Sequence, residues 1–252
     1  MRVLIGTCGF AVGRKKYYES FDAVELQQTF YNPPEPSKLT QLKNEAPAGF
    51  IFTMKAWQAI THPPSMRTWR RSKVSIPKDR WDRYGFLKPT EENFKAWEII
   101  MEGVKALNAF LLVVQLPPSF GCSDENYSNM RNFFMSIEDP GIWVGLELRG
   151  TWRECGDRLR SLIDEFDFLI HVTDPFRWMP VVFKEVTYFR LHGRGEREVN
   201  YKYRYTDEDL AELRRVIEDV GKKGSRMAFI MFNNIYMGED ASRFRSILLE
   251  NI

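Results

Sequence analysis

Residues 90–116, TEENFKAWEIIMEGVKALNAFLLVVQL, carry one complete unit of the pattern that decides the fold. Thr90 stands where a hydroxyl can cap the first turn over Glu91, Glu92 and Asn93, and acidic residues suit the positive end of a helix. Phe94, Trp97, Ile100, Met101, Val104 and Leu107 then recur at helical spacing, so one face of the segment is apolar. Phe110 to Leu116 follows as a short run that is apolar on both sides, which is how a fully buried parallel strand reads.

The same alternation extends in both directions. Upstream, strands are predicted at Val3–Cys8, Ala23–Phe30 and Phe50–Trp57. Downstream they are predicted at Trp143–Arg149, Phe168–Asp174, Thr187–His192 and Met227–Asn233. Helices are predicted at Pro36–Asn44, Ser123–Ile137, Glu154–Phe166 and Asp207–Val220, with a closing helix at Glu239–Leu249. Eight strands alternating with helices or loops in 252 residues match a (β/α)8 TIM barrel, one α/β domain over residues 1–252. An open doubly wound sheet is the alternative, but no strand is followed by GxGxxG or GxxxxGK[ST]. The connections are unequal. Gly9–Asp22 and Pro175–Val186 are short enough to predict reduced or missing helices there.

The chain is 44% apolar, 28% charged and 14% aromatic, with net charge +2, which excludes a disordered chain and a small stapled scaffold. Cys8, Cys122 and Cys155 form no CxxC pair, so no zinc ribbon or thioredoxin-like motif is spelled, and Cys8 reads as a small buried filler. A reducing cytoplasm is the expectation. The opening MRVLIGTCGF is too short for a signal-peptide core, and no run approaches 18 apolar residues, so a soluble protein without membrane association is expected.

A barrel of this type builds its site at the strand exits, and the predicted exits are polar. They bring Thr7 and Cys8, then Glu25, Gln28 and Thr29, then Lys55, Gln115, Glu147 and Arg149, Asp174, Arg190 and His192, and last Asn233 and Asn234. Strand periodicity puts Glu147 and Arg149 on one face, and likewise Arg190 and His192. If both faces are interior, a carboxylate, two guanidiniums and an imidazole converge. Such charges are buried only when paired with each other or with a charged ligand.

The strings IGTCGF, FDAVELQQTFYNPP, FIFTMKAWQAITH, LLVVQLPPSF, LELRGTW, YFRLHGR followed by YKYRYT, and FIMFNN occur in this order between residue 3 and about residue 241. Together they resemble the DUF72 (YecE-like) family. The resemblance implies a barrel of the xylose isomerase and endonuclease IV type and carries no assigned activity. The matching positions are Glu25, Thr29, Tyr31, Lys55, Gln115, Pro117, Glu147, Arg149, Trp152, Arg190, His192, Gly193, Tyr203, Asn233 and Asn234. The chain departs from the family after the first strand, where AVGRKKYYES replaces a Trp and Phe-Tyr-Pro segment and predicts an altered first wall.

A multinuclear metal centre of the endonuclease IV kind needs several histidines. Only His62, His171 and His192 exist, His62 within a Thr-His-Pro-Pro turn and His171 inside a predicted strand. No metal or other cofactor is expected. A single Mg or Mn on Glu25, Glu147 and Asp174 is the alternative, with Arg149 and Lys55 opposing it by charge. Proton transfer then falls to Glu147 with His192 or Lys55, and Glu25 completes the catalytic candidates. Arg149 and Arg190 suit a phosphate or carboxylate, and Gln115, Gln28, Tyr31, Asn233, Asn234, Asp174 and Tyr203 suit its hydroxyls. The expected function is metal-independent acid/base chemistry on a small anionic, hydroxylated compound.

A second reading comes from Met66–Lys88, MRTWRRSKVSIPKDRWDRYGFLK, an insertion after the third strand with eight Lys or Arg against two Asp. Its Arg70, Arg71, Arg80 and Arg83, with Trp69 and Trp81, have the charge and stacking surface that single-stranded nucleic acid requires. A solvated loop that lays its aromatics on the rim of the barrel is the plainer alternative.

Overall fold

A computed structural model describes residues 1–249. In chain order the elements are β1 (Arg2–Cys8), α1 (Arg14–Ser20), β2 (Ala23–Leu26), α2 (Pro36–Glu45), β3 (Ile51–Lys55) and α3 (Gln58–Thr61). They continue with α4 (Glu91–Leu107), β4 (Leu111–Gln115), α5 (Asp124–Ser136), β5 (Trp143–Glu147), α6 (Gly156–Glu165) and β6 (Leu169–His171). The last four are β7 (Val186–Leu191), α7 (Asp207–Lys222), β8 (Met227–Phe232) and α8 (Met237–Leu249). This alternation, with the strands paired in parallel, is the (β/α)8 barrel class.

By density of internal contacts the chain forms two compact units. The first comprises Met1–Glu25, Pro47–Ile51 and the residues from Ile170 onward. Its strands lie in the order β7, β8, β1, β2, with Phe189 opposite Ile230 and Ile230 opposite Ile5. Gly6 is required where β1 passes β2, because a Cβ there would stand 2.1 Å from the Ala23 carbonyl oxygen. Tyr17 of α1 seals the same junction. Its hydroxyl accepts from the Thr7 amide at 2.9 Å and donates to the Ala23 carbonyl at 3.0 Å.

The second unit comprises Leu26–Ala46 and Phe52–Leu169, with its strands in the order β3, β4, β5. Its principal helix, α4, begins as its sequence dictates, with the Thr90 hydroxyl accepting from the Asn93 amide. Ile100, Val104 and Leu107 are buried along its inner face, each contributing about 1.5–3 kcal/mol relative to exposure. Ser123 caps α5 in the same manner. Trp152, wholly buried, donates from its indole to the Phe120 carbonyl at 2.7 Å and stacks on the Phe120 ring. Beside this contact Cys122 and Cys155 form a disulfide across 33 residues of chain.

Three strands end earlier than the sequence reading has them. β2 stops at Leu26 and the chain turns through Gln28–Phe30, because the Thr29 hydroxyl reaches back to the Leu26 carbonyl at 2.9 Å and across to that of Lys55 at 2.6 Å. β5 ends at Glu147, and Arg149 opens a 3-10 turn over Gly150–Cys155. β6 has only three residues, and beyond a single bridge from Thr173 to Phe189 the chain passes to β7 with no helix among the described residues. α1 has seven residues, so both short connections behave as predicted.

Candidate functional site

In the second unit the stretch from Lys55 to His62 brings most of the chemistry. Lys55 ends β3, and α3 is one turn whose four residues are all buried, with His62 closing it through its amide to the Gln58 carbonyl at 2.7 Å. The side chain of Lys55 lies over the Phe30 ring, Nζ 4.1 Å from the centroid, and the His62 ring meets the same phenyl group edge-on at 4.9 Å. Phe30 is therefore a shared platform for a cation and an imidazole. His62 is 4% exposed, its Nδ1 is 2.8 Å from the Thr61 hydroxyl, and its carbonyl accepts from the Trp69 indole at 2.8 Å. Burial first, and then the positive charges of Lys55 and Arg149, push its pKa down to about 3, so the ring is neutral at pH 7.

Two more polar groups of this stretch lack a protein partner. Gln58 is fully buried with neither amide atom hydrogen-bonded, and the buried indole N–H of Trp57 is likewise unmatched. Such groups cost about 1–3 kcal/mol each unless something else meets them.

Arg149 folds back on Glu147, its Nη2 2.7 Å and its Nε 3.1 Å from Oε1 of the carboxylate. Both side chains are largely buried, and Gln115 lies in register with Glu147 on the neighbouring strand. Tyr31 is engaged by Arg71, which stacks over its ring at 3.9 Å and donates to its hydroxyl at 2.8 Å, while Gln28 is exposed.

The first unit holds the remaining candidates. Arg190, 1% exposed, donates from Nε and Nη2 to the two oxygens of Glu25 at 3.0 and 2.9 Å, and the Tyr188 hydroxyl donates to Glu25 at 2.9 Å. Glu25 is 0% exposed, so this pair is part of the interior. Asp174 accepts from the amides of His192 at 2.9 Å and Phe176 at 3.1 Å, and lies 3.9 Å from both the Arg177 guanidinium and His192 Nδ1. Tyr203 donates to Asp209 at 2.6 Å, and Asn234 donates to the Tyr203 carbonyl and to Asp240. These contacts tie the loop after β7 to α7 and α8. Asn233 is half-buried, its amide bonded to the Leu191 carbonyl at 2.9 Å.

The basic insertion is an exposed surface of the second unit whose aromatics are anchored. Trp69 binds His62 as above, and the Trp81 indole donates to the Ile76 carbonyl at 2.9 Å. Arg80 and Arg83 both reach Glu92 of α4, at 2.8 and 3.3 Å, and Arg70 is exposed. Asn93, fully buried, pins the end of the insertion through the Gly85 amide and the Gly85 and Lys88 carbonyls.

His62 was not among the candidates read from the sequence, where it stands in a Thr-His-Pro-Pro turn, and its burial is what the structure adds. The signal available was the wholly apolar Ala59–Ile60 pair two residues before it. Among the described residues, no group of three or more His, Cys, Asp or Glu is gathered to hold a metal ion, and no helix is long and apolar enough to cross a membrane.

The alternation of elements and the charged, buried strand exits define a TIM-barrel-class α/β protein. The chain belongs to the family described as "Protein of unknown function DUF72", whose sequence profile matches residues 13–250. It is 25% identical to the UPF0759 protein YunF of Bacillus subtilis, over 92% of this chain and 84% of that one. A DUF72 family protein from Enterococcus faecalis has the same fold, with a TM-score of 0.71 at 18% identity over 98% of both chains. One from Thermotoga maritima gives a TM-score of 0.70 at 21% identity, over 99% of this chain and 100% of that one. A D-tagatose 3-epimerase-like protein shares the fold at a TM-score of 0.54 and 18% identity, over 99% of this chain and 96% of that one.

Proposed function

We propose that the chain is an enzyme that performs acid/base chemistry, without a metal, on a small phosphate- or carboxylate-bearing compound with hydroxyl groups. The anion is held by Lys55 and Arg149. Glu147 carries the proton, and Gln115, in register beside it, serves the hydroxyls. The observation that carries this reading is the buried Arg149–Glu147 pair with Gln115 in register beside it, in the same unit as Lys55. Burial first, and then the charges of Lys55 and Arg149, keep the His62 imidazole neutral, a balance that favours a negative ligand. The unmatched amide of Gln58 and indole of Trp57 on the same stretch support a polar occupant.

The same observations shift weight within the sequence expectation. Arg190 is bidentate on Glu25 inside the first unit, a pairing that supports a structural role, so the anion is assigned to Arg149 and Lys55. The nucleic-acid reading is supported less well, since five of its six residues, Trp69, Trp81, Arg71, Arg80 and Arg83, are engaged within the protein.

Thermal-shift screening of sugar phosphates and hydroxy acids, repeated with a chelator, tests the proposal. A binder at 100 times its Kd stabilises the wild type by about 2.7 kcal/mol. Lys55→Met and Arg149→Met are expected to lose that shift, and Glu147→Gln to keep the shift but lose turnover, with no effect of chelator. Full shifts in both cation variants would overturn the assignment.

A further inference from the structure

We infer that the Cys122–Cys155 disulfide is a reversible thiol–disulfide exchange site: a dithiol reductant opens it in the folded protein, a disulfide oxidant closes it, and its state fixes or frees the outer part of the wall that follows Glu147 and Arg149. The exchange holds whether or not an anion binds at Lys55 and Arg149.

The two cysteines stand at the starts of neighbouring helices. Cys122 immediately precedes Ser123, the cap of α5, and Cys155 is itself the N-cap residue of α6, where its side chain makes no capping hydrogen bond. The N-terminus of a helix carries partial positive charge, so a sulfur released there as a thiolate is stabilised, which is the setting of exchangeable rather than inert cysteines. Asp157 in the first turn of α6 opposes this, while Arg158, the next residue, supports it and reaches Asp124 of α5 at 2.5 Å. Both bridged cysteines are half-buried, so a small thiolate reaches the bond without unfolding the chain, whereas Cys8 is buried outside it.

The exchange balances with the reductant alone. A thiolate of the dithiol attacks Sγ of Cys122, forms a mixed disulfide and expels Cys155 as a thiolate at the N-cap of α6. The second sulfur of the dithiol then attacks the first, closes the reductant's own disulfide and releases Cys122. Two electrons and two protons pass from the dithiol to the protein, and a disulfide oxidant reverses both steps.

The bond is the outer member of a ladder of contacts between the loop after β4 and the turn after β5. At the strand ends the Leu116 amide donates to the Glu147 carbonyl at 3.0 Å. Farther along, the wholly buried Trp152 indole holds the Phe120 carbonyl at 2.7 Å. Outermost come the Cys122 amide, donating to the Thr151 hydroxyl at 2.9 Å, and the disulfide. Reduction therefore leaves the buried joint at Trp152 in place and frees residues 121–124 and 153–157, the starts of both helices. The turn that follows Arg149 is then anchored at Trp152 and no longer at its far end.

Dithiothreitol at pH 7 without denaturant, followed by alkylation and intact mass, tests the exchange, and peptide-level hydrogen exchange reads its structural effect. The air-oxidised chain is expected to become alkylated at Cys122 and Cys155 with its circular dichroism unchanged, and oxidised glutathione should restore the bond. Peptides covering residues 121–124 and 153–157 should lose protection on reduction, and the peptide holding Leu116 should keep it. The double variant Cys122→Ser with Cys155→Ser should show the reduced pattern with or without dithiol. Iodoacetamide should modify Cys155 in Cys122→Ser severalfold faster than Cys122 in Cys155→Ser, and an equal or reversed order would overturn Cys155 as the departing sulfur. A bond that yields to dithiol only in urea would mark a permanent staple and overturn the exchange site, as would thiols at both positions in the air-oxidised chain. Reduction without any change in hydrogen exchange would overturn the release of the wall.

Discussion

Lowering the pH from 7 to 5 should destabilise the protein through His62 by an amount that the structure sets. The folded state holds this imidazole neutral down to a pKa of about 3, while the unfolded chain protonates it near 6.5. Between those values the unfolded state binds the extra proton, so stability is fully present above about pH 6.5 and is lost as pH falls toward 3. Each unit across that window is worth about 1.36 kcal/mol, and 1.5 units lie between 6.5 and 5, so the loss attributable to this one ring is about 2 kcal/mol. Urea unfolding of the wild type and His62→Asn at pH 7 and pH 5 measures it. Other groups titrate alike in both proteins, so the wild type should lose about 2 kcal/mol more than the variant. Equal losses would refute the buried, neutral state of His62 and with it the electrostatic basis of the site.

Glu25→Ala leaves the Arg190 guanidinium buried without its partner and should cost about 3–5 kcal/mol, read as a fall in urea midpoint; pairing Glu25→Leu with Arg190→Met should recover most of it. A cost below about 1 kcal/mol would mean that the pair is not interior. Opening the disulfide with Cys122→Ser and Cys155→Ser releases a loop of 33 residues and should lower stability by about 3–4 kcal/mol, and an unchanged unfolding midpoint would contradict the bridge. For the basic insertion, anisotropy titrations with a single-stranded oligonucleotide should show no steep fall of affinity with salt. A slope of several units in log K against log salt, removed by changing Arg70, Arg71, Arg80 and Arg83 to Ala, would revive the nucleic-acid reading.

The architecture was legible because its determinants are local. Thr90 and Ser123 announce helix starts by the chemistry of their hydroxyls, and runs such as LLVVQ at Leu111–Gln115 announce buried strands by being apolar on both faces. Boundaries failed where a single side chain overrides periodicity, as Thr29 does by turning the chain after Leu26. The polar strand exits were legible as a set, but the partner of each residue was not. Arg190 pairs with Glu25 across 165 residues, and Cys122 meets Cys155 across 33, separations at which spacing carries no information. The burial of His62 was not legible for the related reason that burial is a property of what packs over a turn. The Phe30 ring and the Trp69 indole that enclose it come from other segments.

The central claim is that an anion belongs at Lys55 and Arg149. A crystal soaked with sulfate or a phosphate monoester at about pH 5.5 tests it in one map. The account predicts a tetrahedral anion within hydrogen-bonding distance of Lys55 Nζ and the Arg149 guanidinium. An anion bound only elsewhere, with solvent alone beside those two side chains, would contradict it.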